Sequence, residues 1–148
     1  MNTADPYASE QALSAQPVGY WAGAVHKAVV GRLRDAMAGI DVTQPQWWVL
    51  TRVDAGDFTR DQVAAQLAEV ADGPSEVPRA IAQLEHRDWI AADDNGRLRM
   101  TDAGRAAQGR IRVLVGDLRT RIHEGISDEE YVVALKVMRR MIANASAT

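Results

Sequence analysis

Apolar residues recur at helical spacing near the start of the chain. Between Pro17 and Asp41 they repeat mostly every four positions, which predicts one long helix that ends near Gly39. The apolar face of this helix consists of Trp21, Val25, Val29, Leu33, Met37 and Ile40. A face of this length is typical of a helix that packs along another helix.

Capping signals divide the next segment into short helices. Thr43 and Gln46 have the spacing of a capping box and predict a helix from Gln44 to about Asp54; Thr59 and Gln62 predict another that runs to about Val70. After a tight turn at 71–74, we expect Ser75 to cap a further helix. Val77, Ile81 and Leu84 form the inner face of that helix. The last two helices have the size of a helix–turn–helix.

A β-hairpin is predicted directly after these helices. Two short segments, 89–94 and 97–101, flank Asn95-Gly96, which favours a two-residue type I′ turn because both positions need a positive φ. Alternation then places Leu98 and Met100 inward and Arg97 and Arg99 outward. A hairpin at this place is a wing.

Two further helices close the chain. The first starts near Thr101, and the second starts at a third capping box, Ser127 to Glu130. The apolar seam of the second alternates spacings of four and three, which favours helix–helix packing. Since a lone winged helix needs neither helix, we expect a dimer interface. The predicted interface residues are Leu118, Ile122, Tyr131, Leu135, Met138 and Ile142.

The fold class predicted from these patterns is mainly α with a small β-hairpin wing, a winged helix–turn–helix. Residues 1–17 form an N-terminal tail, and the sequence leaves open whether residues 1–16 are ordered. Residues 18–148 form a single domain, with dimerisation helices at 18–40 and 102–146 and a winged helix–turn–helix lobe at 43–101.

Composition narrows the function classes. The 148 residues include no cysteine, which excludes disulfides and thiolate sites. No secretory signal and no apolar run of membrane-spanning length is found, so a cytoplasmic location is expected. His26, His86 and His123 are isolated, and no phosphate-binding loop or nucleophile motif occurs. We therefore expect no enzyme, no metal and no cofactor.

The outer face of the fourth helix carries candidates for DNA recognition. Arg79 pairs well with guanine and Gln83 with adenine in the major groove. Ser75 and the adjoining helix start, with Thr59 and Arg60, suit phosphate binding. Glu76 shares this face, and the wing arginines are candidates for backbone or minor-groove contacts. The predicted DNA-binding set is Thr59, Arg60, Ser75, Glu76, Arg79, Gln83, Arg97 and Arg99.

The charge of this lobe is unexpected for a DNA-binding surface. Residues 57–101 contain five arginines and nine acidic residues, a net charge of −4, whereas the whole chain carries −3. Because phosphate neutralisation supplies most non-specific affinity, we expect a small contact set with salt-sensitive binding. This requires Glu85, Asp88, Asp93 and Asp94 to point away from the DNA.

Aromatic residues cluster on the first two long helices. Tyr and Trp combine a stacking face with one polar group, which suits a planar ligand. The alternative is that they belong to the core and the dimer interface, and a lone histidine is more often structural. The residues are Tyr20, Trp21, His26, Trp47 and Trp48.

The order of these elements resembles the MarR family of bacterial transcription regulators. The resemblance runs from about Val18 to the C-terminus and is strongest over Gln62-Val-Ala-Ala-Gln-Leu-Ala68, Ile81-Ala-Gln-Leu-Glu85 with Trp89-Ile90, and Met100-Thr-Asp-Ala-Gly104. The chain departs from the family pattern at Pro78, where Ser or Thr is usual, and in its shortened wing.

The resemblance implies a homodimer that binds a pseudo-palindromic operator in double-stranded DNA, and a repressor that a small aromatic or anionic effector releases. The acidic lobe motivates an alternative, a winged-helix dimer that serves as a protein-interaction or ligand-binding module with little DNA affinity.

Overall fold

The computed structural model describes Asp5 and residues 9–147. The chain divides into two compact units, Met1–Ile111 and Arg112–Thr148. Along the described residues the elements are α1 (Glu10–Ser14), α2 (Val18–Ala38), α3 (Gln44–Ala55), α4 (Arg60–Gln66), α5 (Glu76–His86), β1 (Ile90–Ala92), β2 (Leu98–Met100), α6 (Asp102–Ile122) and α7 (Asp128–Ser146). The predicted class, mainly helical with one small hairpin, is confirmed.

The tail predicted at residues 1–17 contains the short helix α1. The Ser9 side chain caps it by accepting a hydrogen bond from the Ala12 amide at 3.1 Å. The question of order at residues 1–4 and 6–8 lies outside the described residues.

Reciprocal capping boxes begin α3 and α4, as predicted. At α3, the Thr43 hydroxyl accepts from the Gln46 amide, and the Gln46 side chain accepts from the Thr43 amide. Thr59 and Gln62 repeat the arrangement at α4. Each box satisfies two backbone donors that a helix start would otherwise leave unpaired.

Two predictions around α4 and α5 are wrong. The helix predicted to run to about Val70 ends at Gln66, because Leu67 departs from helical geometry with φ −101° and ψ 2°. Val70, which lies beyond the end of α4, is 55% exposed. Ser75 precedes α5 but does not cap it: its backbone is already helical, with ψ −15°, and its side chain accepts no hydrogen bond from the helix start.

The hairpin forms, but its turn differs from the predicted type I′. Of the two turn residues Asn95 and Gly96, only Gly96 has a positive φ, 73°. The Gly96 amide donates to the Asp93 carbonyl at 3.0 Å. This is a three-residue loop, a type I turn followed by a glycine in the left-handed region. The cause is Asp93, whose Oδ1 accepts from the amides of Asn95 and Arg97.

The strands pair with Ala92 opposite Leu98, and Thr59 forms an isolated bridge with Arg97. Leu98 is therefore buried, as predicted, and its amide donates to the Phe58 carbonyl at 2.8 Å. The turn end of β2 is thus tied to the start of α4.

The core of the first unit lies between α3, α4, α5 and the hairpin, which contact one another. The buried apolar residues that build it include Val49, Leu50, Val53, Val63, Val77, Ile81, Leu84, Ile90 and Leu98. Burying these side chains leaves the opposite face of α5 free to meet another molecule.

In the second unit, α7 has no buried residue although it is rich in apolar side chains. Its capping box forms as predicted, with the Ser127 hydroxyl accepting from the Glu130 amide at 3.1 Å. The exposed apolar residues of α7 are Val132, Val133, Leu135, Val137, Met141 and Ile142. They lie on more than one side of the helix, a pattern typical of a helix that is surrounded by other protein.

Candidate DNA-binding interface

The outer face of α5 presents two exposed polar residues, one helical turn apart. Val77, Ile81 and Leu84 turn inward and are buried, so Arg79 and Gln83 lie on the opposite side. The Arg79 guanidinium makes no hydrogen bond or ion pair with any residue that the structure describes. Its donors are therefore available to an external acceptor.

Two arginines near Arg79 are engaged within the protein. Arg60, at the start of α4, forms a two-pronged ion pair with Glu85 on α5. Arg87 donates to the Asp41 carbonyl at 2.5 Å, and its guanidinium lies 3.7 Å from the centre of the Trp89 ring. These contacts hold α5 to α4 and to the turn after α2.

The two wing arginines are also engaged. Arg97 is half-buried and donates to the Asp57 carbonyl at 2.6 Å. Arg99 pairs with the Asp57 carboxylate and, through Nε, with Asp93 Oδ2 at 3.2 Å. Of the five arginines between residues 57 and 101, all of which are described, only Arg79 is without a partner.

The wing contacts change the titration of two groups. The backbone amide of Arg97, followed by the Asn95 amide and the Arg99 side chain, holds the pKa of Asp93 below its ordinary value of 3.8. Hydrogen bonding and charge pairing with Asp57, and then with Asp93, raise the pKa of Arg99. Asp93 and Arg99 therefore both stay ionised at neutral pH.

The remaining predicted phosphate-binding residues lie near the starts of α4 and α5. Ser75 is exposed, and its hydroxyl has no partner within the described part of the chain. The Thr59 hydroxyl accepts from the Gln62 amide and keeps its own hydrogen for donation. Glu76, which also belongs to the predicted DNA-binding set, has a contact within the protein: its Oε2 accepts from the Asp72 amide at 2.7 Å.

Sequence patterns did not indicate Gln46 as part of this surface. Its Nε2 donates to Gln83 Oε1 at 3.0 Å, although the two residues are 37 positions apart. Gln46 also borders a shallow recess of about 500 Å³ that Arg79, Gln83 and Arg87 help to line. Its spacing from Thr43 signalled a helix cap, and nothing local signalled the contact with α5.

The four acidic residues that were expected to point away from DNA fall into two groups. Glu85 and Asp93 are in ion pairs with Arg60 and Arg99. Asp88 and Asp94 are exposed. That all four point away from bound DNA stays a prediction.

The predicted ligand-binding aromatics are only partly brought together. Tyr20 and Trp21 meet edge to face on α2, with ring centres 5.4 Å apart, and Tyr20 is 62% exposed. His26 is exposed on the same helix. Trp47 and Trp48 on α3 are both half-buried, consistent with their directions about 100° apart.

The predicted dimer-interface residues differ in burial. Leu118 is buried, whereas Ile122, Tyr131 and Met138 are half-buried. Leu135 and Ile142 are exposed, the latter by 66%. Tyr131 packs against His123, with ring centres 4.5 Å apart, which fixes the start of α7 near the end of α6.

No helix in the part of the chain that the structure describes is long and apolar enough to cross a membrane. Among the same residues, no group of three or more His, Asp or Glu side chains is placed to hold a metal ion.

The fold is shared by many solved structures. The reduced form of MarR from E. coli matches with a TM-score of 0.68 and 20% identity, covering 85% of this chain and 93% of the other. A Mycobacterium tuberculosis MarR family protein in complex with DNA matches with a TM-score of 0.67 and 16% identity, covering 89% and 99%. A Listeria innocua protein of unknown function gives a TM-score of 0.70 at 19% identity, covering 86% and 91%. No family model and no curated protein matches the chain.

The architecture is therefore that of a winged helix–turn–helix protein. More narrowly, the chain has the MarR-type fold, in agreement with the resemblance of its sequence motifs.

Proposed function

We propose that this protein is a homodimeric transcription regulator that binds double-stranded DNA through α5. The proposal rests on one observation above all: the exposed outer face of α5 carries the single arginine of residues 57–101 that has no partner among the described residues. A helix presented in this way fits the major groove of B-DNA, where arginine reads guanine. The M. tuberculosis neighbour with the same fold was crystallised with DNA.

We assign a role at the DNA to each residue from the hydrogen-bond donors and the charge that its side chain can offer. Arg79 and Gln83 contact base edges, and the Ser75 hydroxyl, with the adjoining start of α5, contacts phosphate. Thr59 donates its hydroxyl hydrogen to a phosphate, and Arg60 contributes charge while paired with Glu85. Glu76 fixes the turn before α5.

Arg97 and Arg99 have a supporting role in this proposal. Their contacts with Asp57 hold the wing against the α4 side of the lobe. A direct minor-groove contact would require them to leave these partners. We therefore propose that the wing contacts DNA weakly, and that α5 supplies most of the specificity.

A homodimer is supported by α7. A 19-residue helix with no buried residue and apolar side chains on several sides would be costly in water. A second copy that covers α7 removes this surface and brings two α5 helices into one assembly. Two-fold symmetry then predicts a pseudo-palindromic site with half-site centres about 34–36 Å apart.

We further propose that the protein is a repressor and that a planar effector binds near Tyr20 and Trp21. The exposed edge-to-face pair offers a stacking surface, which supports this placement. An effector that favours one arrangement of the two lobes shifts the population away from the DNA-binding spacing. Quenching of tryptophan fluorescence by candidate aromatic acids, with Trp21→Phe as the comparison, tests the placement.

The alternative function is a protein-interaction or ligand-binding module with little DNA affinity. It is favoured by the charge of residues 57–101, where four of the five arginines have partners within the protein and the net charge is −4. The two functions differ in the salt dependence of DNA binding. A regulator loses affinity steeply as salt rises, whereas a module gives a slope near zero.

The deciding experiment is selection of bound fragments from genomic DNA with the wild-type protein and Arg79→Ala. We expect a defined motif for wild type, and loss of that preference by about 5- to 100-fold in the variant with the dimer intact. Arg52→Ala on α3 removes the same charge from another exposed position and should retain the motif. Retained preference in Arg79→Ala would remove Arg79 from base recognition.

A further inference from the structure

The side-chain amide of Gln83 has one orientation, because Gln46 fixes it. Gln46 is only 6% exposed and stands at the third position of α3. Its Oε1 accepts from the Thr43 amide at 3.2 Å and lies 3.4 Å from Arg87 Nη1. Both neighbours are donors and have no acceptor to offer, so the oxygen of Gln46 must face them.

The remaining end of the Gln46 amide is its NH₂ group, which faces Gln83 at 3.0 Å. An NH₂ group can only donate, so Gln83 must present its oxygen inward. The Gln83 Nε2, with two N–H donors, is then left on the exposed side of α5, and the structure gives it no partner among the described residues. The donor and the acceptor are therefore fixed in each hydrogen bond that leads from the Thr43 amide through Gln46 to Gln83.

We propose that Gln46 is a specificity-determining positioning residue that makes Gln83 a donor-only reader of base edges. This inference rests on the proposed DNA-binding function and deepens it. A free glutamine pairs with adenine by donating and accepting together, as the sequence suggested. Held by Gln46, Gln83 instead selects acceptors, of which guanine offers two, O6 and N7, whereas thymine offers only O4 and adenine only N7.

Arg79, one turn earlier on α5, also presents donors alone. The two neighbouring readers therefore favour a half-site with consecutive acceptors in the major groove, which a guanine-containing strand provides best. The expected motif has guanine, or guanine followed by thymine, at the positions facing α5.

The chain offers a matched pair of variants for this proposal. In Gln46→Glu, one carboxylate oxygen keeps the capping box with Thr43, while the other oxygen can only accept. Gln83 must then turn its NH₂ inward and expose its oxygen. Gln62→Glu makes the same chemical change in the other capping box of the lobe, where the described contacts include none to Gln83.

The first measurement is motif selection from a randomised DNA library with all three proteins. We expect wild type and Gln62→Glu to prefer guanine or thymine at one position per half-site. Gln46→Glu should switch that position, by about fivefold or more, to cytosine or adenine, whose exocyclic amines donate. An adenine preference in wild type, or a position unchanged in Gln46→Glu, would overturn the proposal.

The second measurement needs no DNA. Solvent exchange of the side-chain amide protons by NMR should be slow for Gln46 and fast for Gln83 in the wild-type protein, with signals assigned from Gln83→Met. Slow exchange at Gln83 with fast exchange at Gln46 would overturn the amide orientation. If none of the proteins binds DNA, the proposed function fails while this measurement still decides the orientation.

Discussion

Gly104 is expected to be the position of the chain least tolerant of a methyl group. It lies in the first turn of α6, where a Cβ would stand 1.9 Å from the carbonyl oxygen and 2.8 Å from the carbonyl carbon of Trp89. The same carbonyl oxygen accepts from the Thr101 amide at 3.1 Å, and the Thr101 hydroxyl donates to the Asp88 carbonyl at 2.5 Å. These contacts join the end of the wing to α6.

The cost of Gly104→Ala follows from these distances. Relief of the clash requires the backbone of Trp89 or of α6 to move by about 1 Å, and no flexible side chain can absorb the movement. Overpacking costs about 1–3 kcal/mol, and loss of the Thr101 hydrogen bond adds about 1 kcal/mol. We expect the free energy of unfolding to fall by about 3 kcal/mol.

Gly109→Ala, in the same helix, is the control. A Cβ at Gly109 meets nothing within 4 Å, so alanine should stabilise the helix by about 0.5–1 kcal/mol. Urea unfolding at one protein concentration, followed by circular dichroism, should place the two midpoints on opposite sides of wild type. Equal shifts, or a neutral Gly104→Ala, would refute the packing of Gly104 against Trp89.

Three further outcomes are expected. Asp88 follows the end of α5 and has a left-handed backbone with φ 59°, which glycine adopts more readily. Asp88→Gly should therefore raise the free energy of unfolding by about 1 kcal/mol in a urea titration. A lower free energy of unfolding would show that the Asp88 side chain stabilises the turn. Because folding lowers the pKa of Asp93, its ionised side chain stabilises the folded protein at pH values above its unfolded-state pKa. This stabilisation is lost as the pH falls through the folded-state pKa. Wild type should therefore lose thermal stability below about pH 4 more steeply than Asp93→Asn, and parallel melting curves would contradict this. Leu135→Glu should shift the protein to monomers in sedimentation velocity, whereas Ala106→Glu should not; an intact Leu135→Glu dimer would place the interface elsewhere.

Sequence patterns predicted the fold well where the signal is local. The capping boxes at Thr43, Thr59 and Ser127 gave the starts of three helices because both partners of each box lie within one turn. Local signals misled at Ser75, where the backbone enters the helix before the cap position. They also misled at Asn95-Gly96, where the side chain of Asp93 stabilises a different turn.

The candidate site was predicted only in part. The helical period placed Arg79 and Gln83 on the outer face of α5, and the structure places them there. The partners of the other arginines and of Gln83 could not be foreseen, since Asp57 and Arg99 are 42 positions apart and Gln46 and Gln83 are 37 apart. Such contacts depend on how α3, α5 and the hairpin pack, which periodicity within one element does not specify.

In the proposed function, α5 lies in the major groove of DNA. Because the chain has no native cysteine, Ala82→Cys on the exposed side of α5 provides a unique attachment point for an iron chelate that cleaves nearby DNA. On a selected site, we predict two cleavage clusters, each centred in a major groove and about one helical turn apart. Diffuse cleavage, or localised cleavage only when the chelate is attached at the wing tip through Asn95→Cys, would show that α5 does not lie in the major groove.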